Sequence, residues 1–397
     1  MKRFAILGTV VLMIVSVSLL SSAIAKEPVV IGSISPLTGT NAVQGTDMKN
    51  GEQIAMEEVN AAGGVLGRPL KILFEDTESR PKGGIDAVHK LVDVNKVPVI
   101  VGAYSSGISL PTGEYTNAQK IVQIGVGSTS PELRRIGPYY FNSIGLDEVM
   151  GTELARFAME DSGAKRFASI TVNNPFGIGI EIWTKKYVYE HGGDVVTLVR
   201  YDERKPDYRA EIERLFSKNP EAIFFTAYGT ESKLILKQAY EMGLKPPKGW
   251  WADYLTMWVN EVIPETAEGI KGTEAGLGFG KYEHYRDAYK KKFGKEPMTA
   301  YGGYGYDAVW LAALAINFAD SDFVKKYSDL FQFSGSPLEP ENIRRALFPV
   351  SSIYYGATGE KAFDRDGMQV TDYYLRYITK IVTEDGKKKL TIVPYKK

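Results

Sequence analysis

From residue 29 onward, short apolar runs alternate with stretches of helical periodicity, and the alternation runs through the chain twice. Val29–Ile34 has the length and composition of a buried strand. Asp47–Ala62 sets Ile54, Ala55, Val59 and Ala62 on one face at helical spacing, and Gly63-Gly64 ends it. Leu70–Phe74 predicts a strand, Gly84–Val92 a helix, and Val97–Gly102 and Ile121–Ile124 two further strands. Near Asp147 the pattern restarts. Arg166–Val172, Asp194–Val199, Ala222–Thr226 and the stretch ending at Gly249–Asp253 read as strands. Gly179–His191, Arg209–Lys218 and Glu231–Met242 read as the helices between them. Strands alternating with helices of this length call for a parallel sheet covered on both faces. The expected fold class is therefore α/β, with two Rossmann-like units. The C-terminal third adds helices over Tyr282–Phe293 and Ala308–Ala319 and near Pro340–Leu347. A β-rich tail follows, in which Asp385-Gly386 marks a hairpin between Tyr373–Ile378 and Leu390–Val393.

Two of the strand ends carry an unusual density of small hydroxylated residues. Tyr104-Ser105-Ser106-Gly107 follows the third strand, and Gly125-Val126-Gly127-Ser128-Thr129-Ser130-Pro131 follows the fourth. In an open α/β sheet, ligands sit just beyond the carboxyl ends of the strands. Hydroxyls and first-turn N–H groups there suit a carboxylate, and the helix dipole adds to them. A Ser-Ser pair after one strand is most often an N-cap. Two such sites in neighbouring units point to a ligand.

At 397 residues the chain exceeds one typical core, and two domains are expected. The formal net charge is zero with no basic stripe, which argues against nucleic acid as a partner. Lys2 and Arg3 precede an uncharged stretch, Phe4–Ala25, that ends in Ala23-Ile24-Ala25. Residues 1–25 thus read as a cleavable export signal, with a retained membrane anchor as the rival reading. The complete lack of Cys excludes disulfides, thiolate metal sites, Cys nucleophiles and a lipid-modified Cys.

Catalytic motifs are missing. The three histidines, His89, His191 and His284, have no Ser or acidic partner in a recognisable pattern. H-E-x-x-H, G-x-S-x-G, a Walker loop and G-x-G-x-x-G are all absent. No enzyme activity, metal or cofactor is expected.

The order of motifs resembles the branched-chain amino acid binding proteins of ABC transporters, the type I periplasmic solute-binding proteins. Ile31-Gly32-Ser33-Ile34-Ser35-Pro36-Leu37-Thr38-Gly39 is similar to the family's opening. Gly51–Asn60, followed by Ala61-Ala62-Gly63-Gly64-Val65-Leu66-Gly67-Arg68-Pro69-Leu70, resembles its first helix and turn. Ser128-Thr129-Ser130-Pro131-Glu132-Leu133, Ala267-Glu268-Gly269 and Phe363-Asp364-Arg365-Asp366-Gly367 match later landmarks. The resemblance implies two α/β lobes joined by a three-strand hinge, with the ligand in the cleft. Lobe one would hold residues 27–145 and 273–350, and lobe two 146–272 and 351–397.

It also implies site residues. Ser106 falls where the family donates to the ligand carboxylate. Gly127 and Thr129 fall where a backbone carbonyl and a hydroxyl meet the amine or carboxylate. Phe176 stands at a position often Tyr in the family, and Tyr228 at an aromatic wall of lobe two. The family's acidic amine partner aligns with Ala252 by strict spacing, and the adjacent Asp253 is the expected group. Five positions are open between two roles. Tyr104 is in the cleft or in packing. Asp147 caps the following helix or touches the ligand. Gln44 lines the rim of lobe one or lies in a loop. Trp250 and Trp251 are core or cleft. The implied function is an exported, monomeric solute-binding protein. It would close over a branched-chain or other apolar amino acid and deliver it to an ABC permease. The same fold around an aromatic or aliphatic carboxylate or an amide, or serving a sensory receptor, is the alternative.

Overall fold

The computed structural model describes residues 26–275, 280–327, 330, 332–372 and 374–396. The expected export signal and Tyr373 of the tail lie outside the described residues.

The strands fall into two large sheets. The first contains β1 (Val29–Ser35), β2 (Leu70–Asp76), β3 (Val99–Val101), β4 (Val122–Gly125) and β5 (Tyr140–Gly145). The second contains β6 (Arg166–Val172), β7 (Asp194–Tyr201), β8 (Ala222–Thr226), β9 (Trp250–Ala252) and β10 (Lys271–Ala275). Beyond them, β11 (Tyr355–Gly356) and β12 (Gly359–Glu360) pair as a small separate ribbon. A short β13 (Met368–Gln369) then joins β5 at the edge of the first sheet. Finally β14 (Tyr374–Glu384) and β15 (Lys387–Pro394) add an antiparallel hairpin to β10. The first sheet is parallel throughout, in the order 2-1-3-4-5-13. The second runs 7-6-8-9-10-14-15, parallel as far as β10.

Helices cover both sheets. Those of the first unit are α1 (Ala42–Ala61), α2 (Pro81–His89) and α3 (Ser106–Ala118). Those of the second are α4 (Asp147–Ser162), α5 (Pro175–Glu190), α6 (Arg209–Phe216) and α7 (Gly229–Glu241). The C-terminal α8 (Tyr282–Phe293), α9 (Tyr301–Ala319) and α10 (Pro340–Ser351) pack on the first unit, with α9 lying along α1. Among the described residues no helix is long and apolar enough to cross a membrane.

The central strands β3, β4, β5, β8 and β9 are buried along their whole length. Parallel strands covered on both faces must be so. Trp251 is fully buried and meets Phe157 edge-on at 4.9 Å; Trp250 is buried against Phe225. Both tryptophans belong to the core. Between β14 and β15, Asp385 and Gly386 both have positive φ, 51° and 73°, as a type I′ turn requires.

Several elements differ from expectation, and polar burial explains most of the differences. Helix α1 starts at Ala42, five residues early. Its first two turns hide Gln44 and Asp47, and the Asp47 carboxylate accepts from Tyr289 Oη at 2.6 Å, Met298 N at 2.7 Å and Thr299 N at 2.6 Å. Strand β5 was not anticipated because it carries Asn142. That amide is buried but satisfied, donating to the carbonyls of Ser128 at 2.8 Å and Ile144 at 2.7 Å. Strand β10 carries the equally buried Glu274, which accepts from Thr256 N at 2.7 Å. Helix α9 starts at Tyr301, well before Ala308, through Gly302, Gly303 and Gly305. These glycines weaken the local helix signal. They also let α9 approach α1 closely: a Cβ on Gly51 would collide with the carbonyl oxygen of Gly302.

Candidate functional site

Both sheets reverse their strand order at one point, between β1 and β3 in the first and between β6 and β8 in the second. Loops leaving neighbouring strands diverge there and open a crevice. The two crevices face each other. Tyr104 and Ser106 follow β3, Gly127 and Thr129 follow β4, Phe176 follows β6 and Tyr228 follows β8. These six line one small cavity together with Met257 and Tyr301. Its space open to a water-sized sphere is about 10 Å³.

The Ser106 side chain organises the first face. Its Oγ accepts from Thr129 N and Ser130 N, each at 3.1 Å. With both lone pairs used, its O–H must point elsewhere. Ser106 is also the first residue of α3, where first-turn N–H groups lack intrahelical partners. Ser105 does not cap α3 with its side chain; its Oγ lies 3.1 Å from Tyr228 Oη, across the cleft. Gly127 is required by contact, since a Cβ there would fall 2.5 Å from the Tyr104 ring.

The second face is aromatic. Phe176 stands one residue inside α5, which Asn174 caps by accepting from Gly177 N at 3.1 Å. Its ring centroid is 5.5 Å from Tyr228 and 6.0 Å from Tyr254. Tyr104 meets Tyr301 edge-on at 4.8 Å, and its buried hydroxyl makes no hydrogen bond of good geometry among the described residues. Tyr104 therefore packs and lines the cleft at once.

Behind this wall stand two carboxylates. Asp253 follows β9 and Asp147 opens α4, and both are fully buried. Among the described residues, no oxygen of either has a hydrogen bond of good geometry. Burial pushes the Asp253 carboxyl up to about 8. It also pushes Asp147 far above the carboxylate range, helped by repulsion from Asp253 and partly offset by the Thr129 hydroxyl. Asp147 is not a cap: the N-cap position is Leu146, and the Asp147 side chain makes no capping bond. Tyr254, next to Asp253, has φ 38°, a costly left-handed conformation for a tyrosine.

Other contacts tie the two faces. Gln44 lies in α1, not in a loop, and its Nε2 donates to Met257 O at 2.5 Å. Arg204, after β7, donates from Nη2 to Ser79 O at 2.6 Å. Asn260 Nδ2 donates to Met298 O at 2.7 Å. Sequence reasoning did not single out Met257, Tyr301 or Arg204. Only the aromatic-glycine run Tyr301-Gly302-Gly303-Tyr304 offered a signal.

Two α/β units with opposed crevices, bridged over a lined cavity, define a two-lobed receptor for a small molecule. The chain belongs to the periplasmic binding protein family, whose model matches residues 28–387. It is 28% identical over 302 residues to the Leu/Ile/Val-binding protein homolog 1 of Brucella suis biovar 1, covering 74% of this chain and 79% of that one. Its fold is similar to that of the leucine binding protein LivK from Thermotoga maritima, with TM-score 0.76 and 25% identity, covering 92% of this chain and 99% of that one. It is also similar to that of the branched-chain amino acid transporter substrate binding protein LivJ from Streptococcus pneumoniae in complex with isoleucine. There the TM-score is 0.75 at 23% identity, covering 93% of this chain and 100% of the other.

Proposed function

We propose that this protein captures an apolar amino acid, a branched-chain one first, between two closing lobes and presents it to an ABC permease. One observation carries the choice of ligand. The cavity wall offers only neutral donors for a carboxylate, while two buried carboxylates without well-formed hydrogen bonds among the described residues stand behind it. A buried carboxylate is stable only when paired or protonated. An ammonium group would pair one of them, whereas an acid lacking an amine would be repelled. A zwitterion fits both ends.

On this reading the free O–H of Ser106 and the first turn of α3 hold the α-carboxylate. Thr129 and the Gly127 carbonyl help orient the amine, and Asp253, with Asp147 behind Thr129, balances its charge. Phe176, Tyr104 and Tyr228 enclose the side chain. Closure removes water and strengthens each charged contact, and the closed shape is what a permease would recognise. The lobes are proposed as residues 27–145 with 273–350, and 146–272 with 351–397, Thr273–Ala275 of β10 staying in the second sheet and β13 of the latter segment pairing back into the first. Residues 1–25 are proposed as the export signal, and the receptor as a monomer.

The experiment is mass spectrometry of any ligand released by denaturing the purified protein. Recovery of leucine, isoleucine or valine supports the reading. Recovery of an acid without an amine overturns it.

A further inference from the structure

A second cavity, much roomier than the cleft, lies apart from it. It lies on the first unit where α9 runs past the end of α10, is open to solvent on one side, and offers about 910 Å³. Sites that take drug-sized ligands span roughly 300–1,000 Å³ and are lined by apolar and aromatic side chains with few polar groups. This one fits that description. Tyr306, Trp310, Leu314 and Phe318 line it from α9, and Val350 and Tyr354 from α10 and the turn beyond. Ile353 and Tyr355 are also in its lining and are exposed, Ile353 to 82%.

The polar groups of the cavity are unequally satisfied. Glu58 is already engaged, with Tyr306 Oη at 2.5 Å and His284 Nε2 at 2.9 Å. Lys281, exposed at the start of α8, has no acidic partner among the described residues. The unbalanced charge of the cavity is thus positive, beside an aromatic wall. An anion with an apolar or aromatic body complements both.

We propose that this cavity is a second ligand site, separate from the cleft, for a small aromatic or aliphatic acid. Its ring or chain lies against Trp310, Leu314 and Phe318, and its acidic group meets Lys281. None of the lining residues belongs to the cleft, so occupancy of one site leaves the other open.

The test uses 1-anilinonaphthalene-8-sulfonate, an aromatic anion, titrated into the purified protein by fluorescence with and without saturating leucine. One equivalent should bind in both cases. Leu314→Trp, which fills the cavity, should weaken binding roughly tenfold or more. Lys281→Glu, a surface change that spares folding, should weaken it about threefold or more. Leucine affinity should stay unchanged in both variants. Displacement of the probe by leucine would assign it to the cleft and overturn the proposal. So would the absence of saturable binding, or equal binding by wild type and Lys281→Glu. Leucine binding is read separately, so failure of the cleft reading is distinguishable from failure of this one.

Discussion

At the scale of single residues, the site is a matter of satisfied and unsatisfied polar atoms. The Ser106 oxygen is fully used by two backbone N–H groups, so its proton is the one free to donate. A hydrogen bond to a charged group contributes about 1.5–3 kcal/mol. Ser106→Ala should therefore weaken amino acid binding roughly ten- to a hundredfold by calorimetry. Loss of one partner of a buried ion pair costs about 3–5 kcal/mol. Asp253→Ala should reduce affinity by at least about a hundredfold, and an effect under threefold would exclude it as the amine partner. The pH dependence follows from the same group. Burial holds Asp253 protonated until about pH 8, and an ammonium beside it favours the ionised form. Binding near neutral pH should release a proton, and affinity should fall as pH drops from 8 toward 6. Calorimetry in buffers of different ionisation enthalpy reads this directly, and Asp253→Asn should lessen the proton release.

Secondary-structure elements bring these residues together, and the glycines at the α1–α9 crossing set how closely. Gly51→Ala would drive a methyl group into the Gly302 carbonyl. Overpacking of this kind costs about 1–3 kcal/mol, and a lowered midpoint in urea would show it. The sequence made many elements legible where apolar period and turn chemistry agreed. Arg166–Val172, Ala222–Thr226 and Tyr282–Phe293 have the expected bounds, and Asp385-Gly386 turns the expected hairpin. It failed where tertiary partners let polar residues be buried. Asn142 in β5, Glu274 in β10 and Asp47 in α1 are polar residues whose burial is satisfied by carbonyls, amides and hydroxyls, many from distant parts of the chain, which local periodicity does not reveal. Ser106 and Thr129 were legible because each follows its own strand. Tyr301 and Met257 were not, because they reach the cavity from distant segments that carry no motif of their own.

At the scale of the whole molecule, binding depends on two lobes and the balance between open and closed. Gln44 holds the two faces together at Met257, in the cavity wall, and Arg204 to Ser79 does so away from the cavity. A ligand shifts this balance only by its differential affinity for the closed form. Arg204→Ala should thus weaken amino acid binding by about threefold to tenfold, in line with roughly one hydrogen bond. Small-angle scattering should show the ligand-free protein more open. Buried carboxylates also set the stability of the closed, ligand-free form. Burial raises Asp253 and Glu52 to about 8 and Glu274 to about 7. A raised carboxyl adds stability that is whole below its unfolded value near 4 and is lost as pH climbs through the folded value. The melting temperature of the ligand-free protein should fall between pH 5 and pH 9. Asp253→Asn should lessen that fall. The most direct test of the central claim is calorimetry with leucine and with 4-methylpentanoate, which keeps the side chain and carboxylate but lacks the amine. Leucine should bind, and the deaminated acid should bind at least about a hundredfold more weakly. Equal affinity for the two would mean that Asp253 and Asp147 do not recognise an ammonium group, and that the receptor is not built for an amino acid.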